Sequence, residues 1–315
     1  MMPGSTEETT EESVTSSRLT ELLRKNLLQD HIHGHADKYG VRAEGRDLIA
    51  TCGVSHFLTT RFNIWDESLR RGAGILEPDA YRAWLTRRIR IFNELLLPTI
   101  VSQTFQGFHY LLVLDTERDE TLDAFLDHLS PYQMIRPVFI DLRQAHPWSV
   151  YEKALGQEIL ALSKPGEIVA TTRLDSDDAI NVDFMSALNR YCTQIEASRV
   201  GAGMYLNFPL GLQINGTDVS LHVVNRNPFQ TMLESREKYL DNRIWTRKGV
   251  FQTAHNRTDK VSEVVNITTR LPMWAQFVHG GNVANVDGAN LLKLAPSDDL
   301  DLLFAGVLSK ASAVR

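Results

Sequence analysis

The sequence predicts an α/β protein with a central mixed, mostly parallel sheet flanked by helices. Two observations carry this. From Val54 onward, for more than a hundred residues, strand-like apolar runs alternate with segments of helical spacing, and that rhythm implies βαβ units with right-handed crossovers. The composition agrees: 315 residues, 43% apolar and 23% charged, belong to a soluble globular chain of one large or two ordinary domains.

The elements follow in order. "VSHFLTTRFN" (54–63) reads as the first strand, and residues 79–100 have helical spacing through Tyr81, Trp84, Leu85, Ile89, Phe92 and Leu96. "HYLLVLD" (109–115) is a nearly all-apolar strand, followed by a helix over "DETLDAFLDHL" and a strand over "IRPVFIDL". "WSVYEKALGQEILALS" is a long helix and "GEIVATTRLD" the fourth strand. Ligands of such sheets sit beyond the carboxyl ends of the strands. That rule places Arg61, Asn63, Asp115 and the acidic residues 175–178 along one edge. From about residue 200 the pattern becomes irregular. "GMYLNFPLGLQI" and "VSLHVVN" read as a hairpin around Asn215-Gly216, and "DDLDLLFAGVLSKAS" as a closing helix.

Composition also excludes some functions. A net charge of -6 argues against a general nucleic-acid binder. Two cysteines, Cys52 and Cys192, are too few for a disulfide framework and point to a reducing compartment. The first 17 residues carry four glutamates and no base, the opposite of a leader, and the densest apolar run, "LLLPTIV", is broken by Pro98. A cytoplasmic protein is expected, with the sequons at Asn215, Asn256 and Asn266 unmodified.

The acidic stretch "TTRLDSDDAIN" sets three carboxylates, Asp175, Asp177 and Asp178, within four positions directly after a strand. Four readings compete. Asp178 or Asn181 serves as the cap of the next helix, but a cap uses one carboxylate and clustering three raises the cost of ionising them. A calcium loop of the EF-hand kind fails, because Ile180 and Ser186 stand where glycine and glutamate are required. An aspartyl phosphatase fits the strand-then-D-x-D pattern, without a convincing downstream lysine motif. The reading favoured is a D-x-D site where Mg²⁺ or Mn²⁺ meets a nucleotide diphosphate, since hard cations take carboxylate and phosphate oxygens together.

"SHFLTTRFNIW" (55–65), "LLLPTIVSQT" (95–104) before "YLLVLD" (110–115), "TTRLDSDDAIN" (171–181) and "WAQFVHGGNVAN" (274–285) occur in this order. Together they resemble the bacterial family of putative rhamnosyltransferases, which looks like a GT-A type glycosyltransferase family. The resemblance covers roughly residues 54–290, with "RLDSDDA" preceded by "TRFN" its most specific part. It implies a GT-A-like, Rossmann-like catalytic domain over 51–315, with a nucleotide-binding half (51–198) and an acceptor half (199–315). Residues 1–17 are then a disordered acidic tail and 18–50 a helical extension.

The resemblance implies roles as well. Thr60, Arg61, Phe62 and Asn63 would line the nucleotide pocket, with Asp115 facing the base or ribose. Asp175 would approach ribose and metal, with Ser176 beside it, Asp177 would bind the metal, and Asp178 would orient the sugar. His279 would complete the metal site or touch the diphosphate. The partners implied are a nucleoside-diphosphate sugar of the dTDP, UDP or GDP type and a carbohydrate or lipid-linked acceptor, with at most peripheral membrane contact.

Physical chemistry supports these roles. Negative charge accumulates on the leaving diphosphate as the anomeric bond breaks; a divalent cation stabilises it, and Arg61 and Arg173 offer fork-shaped donors. An inverting enzyme also needs a base for the acceptor hydroxyl. Glu234 is the first candidate, with Asp259 and His255 behind it. The remaining alternatives are a metal-dependent phosphohydrolase and a non-catalytic nucleotide or carbohydrate-binding module.

Other signals are set aside. His31, His33 and His35 alternate in "QDHIHGHADKYG" after a helix and read as a solvated linker. Arg82, Arg87, Arg88 and Arg90 read as a solvated helix face, with contact to an anionic membrane as the alternative. Trp245, Trp274 and Phe251 fill the core or stack on an acceptor sugar.

Overall fold

A computed structural model describes residues 53–64, 67–72, 74–143, 147–195, 200, 203–240, 250, 253–278 and 292–314. The expected tail, the extension with its histidines, Cys52, Trp245, Phe251 and His279 lie outside these residues. Strands β1 (Val54–Arg61), β2 (Phe108–Asp115), β3 (Ile135–Ile140) and β4 (Ile168–Arg173) run parallel. Between them lie helices α1 (Glu67–Gly72), α2 (Pro78–Ile91), α3 (Leu97–Val101), α4 (Glu120–Leu129) and α5 (Pro147–Leu162). The central strands β1, β2 and β4 are buried along most of their length because both faces are covered, whereas the edge strand β3 alternates buried and exposed positions. Leu58 and Leu112 join one core with Phe62, Phe92 and Phe125, while their neighbours Phe57 and Leu111 join the opposite core with Tyr151, Ile159 and Val169.

The helix expected over 79–100 is present with one widened turn. A π-helical segment, Phe92–Leu96, separates α2 from α3, and the Leu97 N–H reaches back to the Phe92 carbonyl. Pro98 supplies the cause: it has no N–H to give and its ring crowds the preceding turn, which a wider turn accommodates.

The rest of the chain builds β5 (Ala179–Ile180), α6 (Phe184–Cys192), β6 (Met204–Asn207), β7 (Leu210–Asn215), β8 (Asp218–Val223), β9 (Thr231–Ser235), β10 (Glu263–Asn266), β11 (Trp274–Val278), β12 (Leu292–Leu294) and α7 (Asp298–Leu302). Seven strands form the central sheet in the order β10-β6-β9-β4-β1-β2-β3, with β9 antiparallel to its neighbours β4 and β6. The chain steps from β1 to β2 and β3 on one side, then returns to lay β4 on the other. The crevice between β1 and β4 is therefore the topological switch point, where open α/β sheets bind ligands.

Three expectations are corrected. "GMYLNFPLGLQI" is two strands, split at Phe208-Pro209, so that β6 enters the central sheet and β7 a second sheet of order β12-β8-β7-β11-β5. The hairpin is there, but Asn215 pairs with Asp218 and the loop is Gly216-Thr217, with Gly216 at φ 63. The closing helix is interrupted: α7 stops at Leu302, Gly306 takes φ 71, and the Asp301 carboxylate accepts the Leu308 N–H at 2.7 Å.

Trp274 anchors the second sheet from inside. It is 1% exposed, donates its indole N–H to the Phe208 carbonyl at 2.7 Å and stacks on Phe229 at 5.1 Å, so it fills the core and is not an acceptor platform. Its ring lies flat on Gly211, where a Cβ would stand 2.1 Å from the indole. Only glycine fits this point of β7.

Candidate active site

At the end of β1, strand parity sorts the predicted residues. Arg61 faces the α5 side near Tyr151. Thr60 and Phe62 turn the other way: Thr60 is fully buried beside Tyr110, and Phe62 is stacked on Phe125 at 5.0 Å and edge-on to Phe92 at 5.5 Å. Their side chains belong to the core and not to a pocket wall, which corrects the expectation from the sequence. Asn63 is a staple. Its Oδ1 accepts the Asp115 N–H and its Nδ2 donates to Tyr81, both at 3.1 Å, tying the ends of β1 and β2 to α2.

Asp115 is also redirected. It is fully buried and accepts both arms of Arg143, at 2.9 and 3.1 Å, and the Glu117 N–H at 2.9 Å. Arg70 approaches to 3.7 Å while stacked 4.0 Å over Tyr81. Both carboxylate oxygens are occupied by the protein, so Asp115 shapes the rim of the crevice instead of facing a base or ribose.

The acidic turn follows β4. The Leu174 N–H still pairs with Thr59, and Arg173 reaches Asp175 at 3.2 Å. The Asp175 side chain remains 38% exposed and Asp177 is half-buried. Asp178 is buried, and its Oδ1 accepts the Phe277 N–H at 3.1 Å, fastening the turn to β11 where β5 pairs antiparallel with it. Burial first, then the charges of Asp177 and Asp175, raise the Asp178 carboxyl well above its usual range. Ser176 is fully buried and its hydroxyl has no partner among the described residues. Of the two capping candidates, Asn181 takes that place and Asp178 does not, so capping leaves the three carboxylates unexplained. Helix α6 starts only at Phe184, and Asn181, not an aspartate of the cluster, accepts the Asp183 N–H at 2.9 Å.

Three guanidiniums surround the turn. Burial and the neighbouring Arg173 lower the Arg61 pKa, a sign that the two cations lie close on the α5 side. Arg88 arrives from the opposite side on α2, where sequence reasoning saw a solvated face. Its Nη2 donates to the Arg61 carbonyl at 3.4 Å, and its guanidinium carbon lies 5.6 and 5.1 Å from the ring centres of Phe62 and Trp84. Burial lowers its pKa, and Asp177 followed by Asp175 opposes that shift. The missed signal was spacing: Tyr81, Leu85, Arg88 and Phe92 follow i, i+4, i+7, i+11, which puts Arg88 on the buried stripe.

A family model described as putative rhamnosyl transferase matches residues 49–290, from before β1 to beyond β11. The chain belongs to the putative rhamnosyl transferase family. Among the curated proteins no significant match is found. The family points to a glycosyltransferase, and every edge residue described above falls within the matched span. No helix among the described residues is long and apolar enough to cross a membrane.

For a member of the putative rhamnosyl transferase family, the candidate bases separate clearly. Glu234 pairs with Val169 near the start of β4, four positions and roughly 13 Å from Arg173 along the strand. It is buried and accepts the Tyr239 hydroxyl at 3.0 Å, so it is withdrawn as the base. Asp259 is exposed and ion-paired with Arg226. His255 does reach the turn: burial and Arg173 lower its pKa while Asp175 opposes them, and its carbonyl accepts from Gln230 at 3.4 Å and Thr258 at 3.0 Å. An imidazole held below its usual pKa is neutral and basic at pH 7. No three His, Cys, Asp or Glu side chains among the described residues form a metal cage. The donor set nevertheless fits a hard cation: two accessible carboxylates whose charges repel a third, a pattern that Mg²⁺ or Mn²⁺ completes with phosphate oxygens.

Proposed function

We propose that the protein is a metal-dependent glycosyltransferase of GT-A type, moving a sugar from a nucleoside-diphosphate sugar to a hydroxyl of a carbohydrate or lipid-linked acceptor in the cytoplasm. The observation that carries the reading is the half-exposed pair Asp175 and Asp177 at the switch point of the sheet, with Arg61 and Arg173 beside them.

In this reading Asp175 and Asp177 hold Mg²⁺ or Mn²⁺, with His279, the residue after β11, as a further ligand. The cation supplies Lewis-acid stabilisation of the leaving diphosphate. Arg61 and Arg173 donate to the phosphate oxygens, and Asp178 fixes the turn through Phe277 so that the carboxylates stay aimed at the crevice. If transfer inverts the anomeric centre, His255 takes the acceptor proton at its free ring nitrogen. Because its pKa is lowered, that base is lost only as pH falls below the ordinary histidine value.

Calorimetric titration with UDP, dTDP and GDP, each with and without Mn²⁺, tests the reading. Binding of one nucleotide only when metal is present is the expected result. Binding of none in either condition defeats it, and release of inorganic phosphate instead of a nucleoside diphosphate from the sugar nucleotide would assign a phosphohydrolase.

A further inference from the structure

We infer that Arg88 is a diphosphate-binding residue of the donor site, reaching the phosphates from the face of the sheet opposite Arg61 and Arg173. The inference rests on the nucleotide-sugar reading above and adds a residue that the D-x-D pattern does not contain.

The first ground is position. Helix α2 and the π-helical turn that continues it carry Tyr81, Leu85, Arg88 and Phe92 on one stripe, and Leu85 and Phe92 are buried there. A charge on such a stripe is expensive unless something meets it. Arg90 differs: it is exposed and lies 4.0 Å from Glu94.

The second ground is incomplete pairing. Arg88 donates through Nη2 to one backbone carbonyl, at the long end of hydrogen-bond range, and its buried Nε has no partner among the described residues. No carboxylate among them stands within ion-pair distance of it; Asp177 and Asp175 attract it from farther away. Compare Arg70, which stacks over Tyr81 and is set against the buried carboxylate of Asp115. Arg70 has its counter-ion built in, whereas Arg88 faces the acidic turn across a gap.

The third ground is complementarity. A guanidinium on one side of the turn, two on the other and carboxylates between them suit a ligand that is itself an anion bridged to a cation. A metal-bound diphosphate has that charge pattern, and arginine forks match phosphate oxygens. Cation–π contacts of Arg88 with Phe62 and Trp84, at 5.6 and 5.1 Å, help hold the guanidinium in place and limit the entropy lost on binding.

The test uses Arg88→Met, which keeps an unbranched apolar stem, Arg88→Lys, which keeps the charge but not the fork, and Arg87→Met as a control. Each is titrated with UDP, GDP and dTDP and with the matching monophosphates in the presence of Mn²⁺, and each is melted to check folding. Arg88→Met should weaken diphosphate binding at least about tenfold and monophosphate binding by less than about threefold, with Arg88→Lys between it and wild type and Arg87→Met unchanged. If wild type binds a diphosphate and Arg88→Met binds it equally, or loses monophosphate to the same degree, the inference is overturned alone. Should Arg88→Met fail to fold, Arg88→Lys decides: wild-type diphosphate affinity overturns the assignment. A wild type that binds no nucleotide overturns this inference and the nucleotide-sugar reading together.

Discussion

The two ends of β4 obey different rules. At its amino end the polar groups are mutually satisfied. Glu167 accepts from Ser55 and from the Lys164 N–H, Arg236 donates to Ser163 and to the Leu160 carbonyl, and Glu234 accepts from Tyr239. At its carboxyl end like charges are neighbours: Arg61 beside Arg173, Asp178 beside Asp177 and Asp175. The Ser176 hydroxyl and the Arg88 Nε have no partner there among the described residues. A strand six residues long thus joins a finished network to an unfinished one. The difference teaches that the strain at one end is specific to that end, as expected where a ligand and not the fold completes the electrostatics.

Substitutions at each end sharpen or break this contrast. The largest effect belongs to Asp177→Ala, which should lower sugar transfer by about a hundred- to a thousandfold while the melting curve stays close to wild type. Transfer at the normal rate would mean the unfinished end is not the site. Next comes Glu234→Ala, which removes a buried carboxylate and its bond from the Tyr239 hydroxyl and should cost about 2 kcal/mol in urea unfolding, with nucleotide affinity unchanged. Lost affinity without lost stability would reverse the comparison. The smallest is Asp178→Asn. The amide oxygen still accepts the Phe277 N–H while the repulsion is relieved, so the melting temperature without nucleotide or metal should rise by a few degrees. A fall would show that the carboxylate charge is already balanced.

Much of this architecture was readable in the sequence because it is local. A nearly continuous apolar run announced β2, strand-like stretches alternating with helical spacing announced β1 and β4, and a cluster of aspartates after a strand announced the turn. What escaped depends on partners distant in sequence. Asp115 looked like a ligand until Arg143, 28 residues away, took both of its oxygens. Glu234 looked like a base, but β9 runs antiparallel to β4 and delivers it to the wrong end, and strand direction leaves no mark on periodicity. The division of "GMYLNFPLGLQI" between two sheets is equally silent, since both halves are apolar. Two errors were avoidable. Period-two alternation already sends Thr60 and Phe62 away from Arg61, and helical spacing already places Arg88 on an apolar stripe.

The contact between Gly211 and the indole of Trp274 bears on how this sheet can be inherited. A side chain cannot arrive at 211 while the tryptophan remains, because the two would occupy the same space. A smaller residue at 274 must come first, at the loss of the stack on Phe229 and the bond to Phe208. The order of replacement is therefore fixed in one direction, with position 274 changing before position 211.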